Sequence, residues 1–417
     1  MTNNVVLIIG LVWPEPASSA AGKRMLQLIA LFQSWGYQVT FASTAAENAL
    51  NFDLSTIGIE KVTIKLNAES FDDFVKICNP SIVLFDRFVT EEQFGWRITE
   101  NCPEALKVLD SEDLHCLRYT RAANFKKGVS FEIENLYEEE WTKREIASIL
   151  RCDLTLIIAE YEMEVLKKYF KIDQNVLLYL PILFDQVDLK MEDSNLSFQE
   201  RSDFVFIGNF WHEPNWDAVV YLKKTIWPLI RKQLPTAIIR IYGAYPSQKV
   251  FDFTNKKEGF YVEGRADSAL EVISKAKVLI APLRFGAGIK GKLLESMQFG
   301  TPSVTTSIGA ESINGNLPWN GFIADDAIEF ALKSISLHQY EKLWLESQKQ
   351  GYCILNERFK KGHFVALFHE KLHSMLNNLA SHRRKNFYGA LLSHHSMNST
   401  KFMSKWIEEK NKNSILS

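Results

Sequence analysis

Apolar runs of strand length alternate with helically spaced stretches along this chain, and the whole alternation occurs twice. Val5–Val12 is an unbroken apolar run of the kind buried on both faces of a parallel sheet. After it, Met25, Leu28, Ile29 and Phe32 fall at helical spacing within Ser18–Trp35, and Gly36 supplies a stop. Further strands are expected at Gln38–Ser43, Val62–Leu66, Ser81–Asp86, Lys107–Asp110, Asp153–Ala159 and Asn175–Leu180, with Phe131–Leu150 as the longest helical run. The rhythm stops in the polar, acidic stretch Phe184–Asp203. It resumes at Phe204-Val-Phe-Ile-Gly208 and continues through Ala237–Gly243, Phe260–Gly264, Val278–Pro282 and Pro302–Thr306. From Asp325 onward the spacing reads as helix alone. A chain of 417 residues exceeds what one ordinary core encloses. The expected fold is α/β, with two doubly wound, Rossmann-like domains facing across a cleft. They are placed at 1–185 and 204–350, joined by a linker at 186–203, and a helical tail at 351–417 packs back on them.

Bulk composition narrows the function classes. A formal charge of −2 exerts no general pull on nucleic acid or anionic membrane. No stretch approaches the roughly 20 apolar residues of a membrane span. Met1-Thr-Asn-Asn4 lacks the basic start of a signal peptide. The five cysteines are scattered, odd in number and without a C-x-x-C pair, which fits reduced thiols and a cytoplasmic setting.

The most chemically specific segment is Val278-Leu-Ile-Ala-Pro-Leu-Arg-Phe-Gly-Ala-Gly-Ile-Lys-Gly-Lys-Leu-Leu-Glu295. A strand enters a glycine-rich turn, and a helix leaves it. Glycines let backbone N–H groups approach a ligand, the helix start carries partial positive charge, and Lys290 and Lys292 add full charges. Such a turn suits a diphosphate. The P-loop pattern fits Gly286 to Lys292, but Leu293 stands where the metal-binding hydroxyl belongs. The dinucleotide pattern fits Gly286, Gly288 and Gly291, with Glu311 downstream, and would make the chain an NAD-dependent oxidoreductase. That fingerprint usually opens the first strand-turn-helix of a chain. A third template, the donor-nucleotide turn of two-domain glycosyltransferases, wants a Glu on the following helix, then Gly-x-Pro and a strand. Glu295, Gly300-Thr-Pro302 and Ser303-Val-Thr-Thr306 supply all of these.

On these residues the chain resembles the retaining glycosyltransferases of the GT-B fold often called family 4. Phe206-Ile-Gly-Asn209 with Pro214-Asn-Trp-Asp217 resembles the opening strand, turn and helix of that family's nucleotide domain, and Gly208 is taken as a donor contact. Ile241-Tyr-Gly243, Val262-Glu-Gly-Arg265 and Thr305-Thr-Ser-Ile-Gly-Ala-Glu311 resemble later segments around the donor. The resemblance implies donor contacts from Gly286, Ala287, Gly288 and Ile289, ribose binding by Glu295, and closure of the donor site by Glu311. Two features depart from the family pattern. The first of its two glutamates is replaced by Ala287, whose work is expected to pass to amides of the Gly286–Gly288 turn. Its Arg/Lys phosphate pair is replaced by Asn209-Phe-Trp-His212, so the cationic role moves to Lys290, Lys292 or Arg284.

In the first half, the small residues of Pro14–Gly22 lead into a helix whose start suits an anion, or is simply capped by Ser18 or Ser19. Gly22 is the donor-side candidate there. Leu109-Asp-Ser-Glu-Asp-Leu-His-Cys-Leu-Arg118 is the most polar cluster at a strand end, where open α/β sheets bind ligands. His115 is the candidate catalytic contact, and the resemblance implies this role because retaining members usually place a histidine near here, over the donor sugar. Lys290 and Glu295 are the catalytic candidates across the cleft. Asp110, Glu112, Asp113 and Arg118 are acceptor-side candidates. The bland alternative is a helix start capped by Asp110 or Ser111. Asp86-Arg87 is a weaker site of the same type.

The implied function is transfer of a sugar from a nucleotide-diphosphate sugar to a glycan or lipid-linked acceptor. The resemblance carries retention with it. The loop cations neutralise the leaving group, so no cofactor or metal is expected. Ala287 favours the alternative of a non-catalytic nucleotide- or glycan-binding relative. His369-Glu-Lys-Leu-His373 spells a zinc-protease motif but lacks a third ligand. Lys371–Lys412 carries eight basic residues against two glutamates, with aromatics interspersed. It either packs across the domains or rests peripherally on an anionic membrane.

Overall fold

In the computed structural model, which describes residues 4–187 and 196–416, the two alternating units become two all-parallel sheets. The first has the order β3-β2-β1-β4-β5-β6-β7. Its strands are β1 (Val5–Gly10), β2 (Gln38–Ser43), β3 (Glu60–Thr63), β4 (Ile82–Asp86), β5 (Leu106–Asp110), β6 (Leu154–Ile157) and β7 (Leu177–Tyr179). Around them lie α1 (Ala20–Ser34), α2 (Ser70–Cys78), α3 (Phe88–Asn101), α4 (His115–Lys127), α5 (Asn135–Glu138), α6 (Glu140–Arg151) and α7 (Glu160–Glu164). The central strands β1, β4 and β5 are buried on both faces, which is why they read as unbroken apolar runs.

The second sheet, ordered β10-β9-β8-β11-β12-β13, holds six strands. They are β8 (Ser202–Ile207), β9 (Ile239–Tyr242), β10 (Phe260–Gly264), β11 (Ala276–Ala281), β12 (Ser303–Thr305) and β13 (Gly321–Ile323). Its helices are α8 (Glu213–Tyr221), α9 (Trp227–Gln233), α10 (Gln248–Phe251), α11 (Ala269–Lys275), α12 (Gly291–Gln298), α13 (Ser307–Ala310), α14 (Ala327–Gln339) and α15 (Glu341–Arg358). In each sheet the strand order reverses beside the first strand, β1 or β8, and ligands of doubly wound folds bind at that reversal.

The chain crosses between the domains twice, side by side. Phe184 N–H donates to Phe359 O at 2.9 Å, and Lys361 N–H returns a bond to Phe184 O at 2.8 Å. Residues 188–195 of the expected linker lie outside the described residues; beyond them Arg201 is buried against Thr301 and Phe299, and β8 starts at Ser202. After the return crossing come α16 (Lys361–Asn377), α17 (Leu379–Lys385) and α18 (Phe387–Leu416). Phe364, Phe368, Leu372 and Met375 of α16 enter the first domain's core, and α18 lies along α3 and α6. The His369–His373 helix is thus a packing helix, with the His369 ring 4.9 Å from that of Trp35.

Two local expectations fail. The helical run Phe131–Leu150 breaks at Glu139, which is extended; Glu134 and Glu138 are like charges one turn apart, and Glu139 and Glu140 follow. Strand β13 is three residues long and half-exposed, too short to show periodicity.

Candidate active site

The strand ends of both sheets open on one cavity of about 510 Å³. On the second-domain side, α12 begins at Gly291 with no side chain capping it, and its first turn lines the cavity, an arrangement chemically suited to an anion. Lys290 is buried, and its Nζ donates to Gly288 O at 2.8 Å. Lys292 Nζ donates to Asn215 Oδ1 at 2.7 Å and lies 4.2 Å from the Phe206 ring centre. Burial pulls Lys290 down to about 8, against the attraction of Glu311, and Lys292 down to about 7, against that of Glu295. Both lysines bond to neutral oxygens rather than carboxylates, so both ammonium groups keep charge in reserve for an incoming anion. Gly208 faces the same spot, where an added Cβ would stand 2.7 Å from Lys292 Nζ.

On the first-domain side, α4 starts without a side-chain cap of its own. Neither Asp110 nor Ser111 caps it, contrary to the bland expectation. Two distant buried carboxylates do so instead. Glu162 Oε1 accepts from Leu114 N–H at 2.9 Å, and Glu145 accepts from His115 and Cys116 N–H at 3.0 and 2.7 Å. This fixes His115, which lines the cavity edge-on to Phe88, with Nε2 3.5 Å from Asp113 Oδ1. Burial lowers His115 to about 3 and His212, across the cavity, to about 4, so both rings are neutral. Burial alone would raise Asp113, but Arg118 grips both its oxygens and holds it well below the usual carboxylate range. Glu112 lines the cavity in a left-handed conformation, φ 58°, with Oε1 buried and unpartnered. Burial and neighbouring Asp110 push Glu112 up.

Several sequence candidates stand elsewhere. Asp110 is fully buried and bound by Arg24 at 2.8–3.1 Å, so it cannot meet an acceptor. Arg284 pairs with Asp217 and lies on Phe125 and Tyr221, outside the cavity lining. Glu311 takes two 2.8 Å bonds from Arg121, which also reaches Gly286 O. It is a tie between the domains rather than a donor contact, and is equally withdrawn from any dinucleotide ribose. Gly22 is required by close approach, since a Cβ would fall 2.5 Å from the Glu15 backbone. The Gly288 amide, expected to serve the donor, donates instead to Glu162 Oε1 at 2.9 Å. Gly286, Ala287, Gly288 and Ile289 do line the cavity.

Sequence reasoning missed Lys23, which crosses the cleft to pair with Glu295. Its signal was present: a lysine near the start of a helix with no acid in the first turn opposes the helix dipole. It also missed the Tyr245 hydroxyl bound to both Glu15 oxygens at 2.8 and 2.7 Å, with Trp211 stacked on the Tyr245 ring.

Comparison with known proteins bears on this cavity. Residues 201–339, which contain α12 and its lysine turn, match the family model described as glycosyl transferases group 1. A glycosyltransferase from Rickettsia africae superposes with a TM-score of 0.64 at 13% identity, covering 90% of this chain and 99% of that one. The chain has the GT-B fold, and its second domain matches the glycosyl transferases group 1 model. Anabaena HepE, solved with UDP and glucose, gives a TM-score of 0.64 at 11% identity over 89% of this chain and 99% of its own. S. aureus TarM, solved with UDP, fondaparinux and alpha-GlcNAc-glycerol, gives 0.55 at 13% identity over 73% of this chain. The chain spans 58% of TarM's length. A Klebsiella pneumoniae protein described as an uncharacterized 44.6 kDa protein in the cps region is 22% identical over 302 residues, 69% of this chain and 74% of that protein. In this fold the facing strand ends of the two sheets border the one cavity described above.

Proposed function

We propose that the cleft transfers a sugar from a nucleoside-diphosphate sugar to a hydroxyl of a glycan or lipid-linked glycan, with retention at the anomeric carbon and without a metal. The observation that carries this reading is the pair of buried lysines, Lys290 and Lys292, at the uncapped start of α12. Charge develops on the diphosphate as its bond to the sugar breaks, and donors already fixed in a dry cleft stabilise that charge best. Lys290, Lys292, Lys23 and the α12 amides are those donors. Glu295, with Lys23 drawn off to the arriving phosphate, is then free to take the ribose hydroxyls. The sugar lies under Ala287–Ile289, facing neutral His115 and the Asp113–Arg118 pair. The acceptor enters from the first domain, where Glu112 and Arg118 offer hydrogen bonds. Its hydroxyl oxygen bonds to the anomeric carbon on the face that the phosphate leaves, and its proton passes to the departing phosphate oxygen.

UDP in the HepE and TarM structures makes uridine the first base to test, and the cps-region relative favours a polysaccharide product. The test is transfer from UDP-sugars by the full chain, with and without a chelator, reading anomeric configuration by NMR. Activity that needs an added divalent metal, or an inverted product, would overturn the corresponding part of the proposal.

A further inference from the structure

Helix α18 uses one face to pack and shows another to solvent. On the packed face Gly389, Met397 and Ser404 are buried, and Ser404 and Glu408 both bond Arg97 of α3. Asn386, just before the helix, donates to Leu150 O at 2.7 Å. These contacts fix the helix on the first domain. Phe387, Tyr388, Leu391, Phe402 and Trp406 are between 42% and 70% exposed. At about 100° per residue they fall within one stripe, opposite the buried one. Exposed Arg384, Lys385, Lys405, Lys410 and Lys412 flank it, and between 384 and 412 Glu409 is the one fully exposed acid.

We propose that this face docks the protein on an anionic lipid surface. Rings of Trp, Tyr and Phe beside lysines suit the headgroup layer, where an apolar body sits inward and a charged tip stays wet. The excess of positive charge, on a chain whose formal total is −2, is complementary to anionic headgroups. The stripe is a convex ridge on one helix, a shape that a fluid surface accommodates. Among the described residues no helix is long and apolar enough to cross a membrane, so docking here is peripheral. Packing and membrane contact, set against each other at the sequence level, fall on opposite faces of the same helix. This docking is independent of the sugar-transfer reading.

The test is flotation of the full chain with vesicles of phosphatidylcholine alone, and of phosphatidylcholine and phosphatidylglycerol in equal parts. Binding is expected to the anionic vesicles only and to fall with salt. Two paired variants, Phe402→Ser with Trp406→Ser and Lys405→Glu with Lys410→Glu, are each expected to weaken it by roughly tenfold or more. Both change solvent-facing side chains, so melting temperature and UDP binding should stay as in the parent; a lost fold would show there. No binding, equal binding to neutral vesicles, or binding unchanged in both variants would overturn the proposal. So would a parent dimer that the Phe402/Trp406 variant dissolves, which would make a second copy the occupant.

Discussion

Lys290 and Lys292 are held ready at a cost, because each is buried without a carboxylate partner. That fixes the sign of two pH dependences. Their folded values, about 8 and about 7, lie below the ordinary lysine value, so between about pH 7 and 10 the unfolded chain binds more protons. Their contribution to stability therefore rises with pH across that window. Diphosphate binding requires the charged forms and should weaken over the same range, with proton uptake on binding. Calorimetry in buffers of different ionisation enthalpy measures the uptake, and thermal melts measure the opposite slope. Lys292→Met should melt higher than the parent, since it removes a desolvated charge, while binding UDP about tenfold more weakly. The turn itself was legible because glycines and lysines crowd into seven residues. Glu162 was not, because it acts from a helix in the other domain. For Lys23 the sequence shows a lysine set against its helix dipole, but not the contact with Glu295 that folding forms.

Helix α4 starts about a turn later than a cap at Asp110 or Ser111 would place it, and its cap comes from elsewhere in the chain. Its start at His115 follows a polar strand end, but Glu145 and Glu162 cap it from α6 and α7. Burial raises Glu145 to about 7 and Glu162 to about 8, against the amide bonds that favour the charged form. A neutral Glu162 is closely imitated by glutamine. Glu162→Gln should therefore leave the melting temperature nearly unchanged, whereas Glu162→Ala orphans the buried N–H groups of Leu114 and Gly288 and should cost about 1–3 kcal/mol. Denaturant unfolding of the two variants separates them; equal losses would contradict this account. The central strands were legible from apolar runs alone, since a strand buried on both faces has no polar alternation to disguise it. Strand β13 and the break at Glu139 were not, the one for its brevity, the other because helix spacing persists across the break.

At the scale of the molecule, the cleft is closed by ties that no single domain contains: Arg121 to Glu311, Tyr245 to Glu15, Lys23 to Glu295 and Gly288 N–H to Glu162. Arg121→Met leaves Glu311 and Gly286 O without their partner. It should loosen the closed arrangement, seen as a larger radius of gyration in small-angle scattering; an unchanged profile would assign closure to the crossing segments at Phe184 and Lys361. The two-domain plan was legible from the doubled alternation, but which residues join across the cleft depends on how two separately folded sheets meet. The central claim is that a nucleoside diphosphate sits at the lysine turn of α12. Its most direct test is the thermal stabilisation of the full chain by UDP, GDP, CDP, ADP and NAD, repeated with Lys290→Ala, since a ligand of the native state raises the melting temperature. The account predicts a shift with one nucleoside diphosphate that the variant loses. A shift with NAD alone, or one that survives Lys290→Ala undiminished, would contradict it.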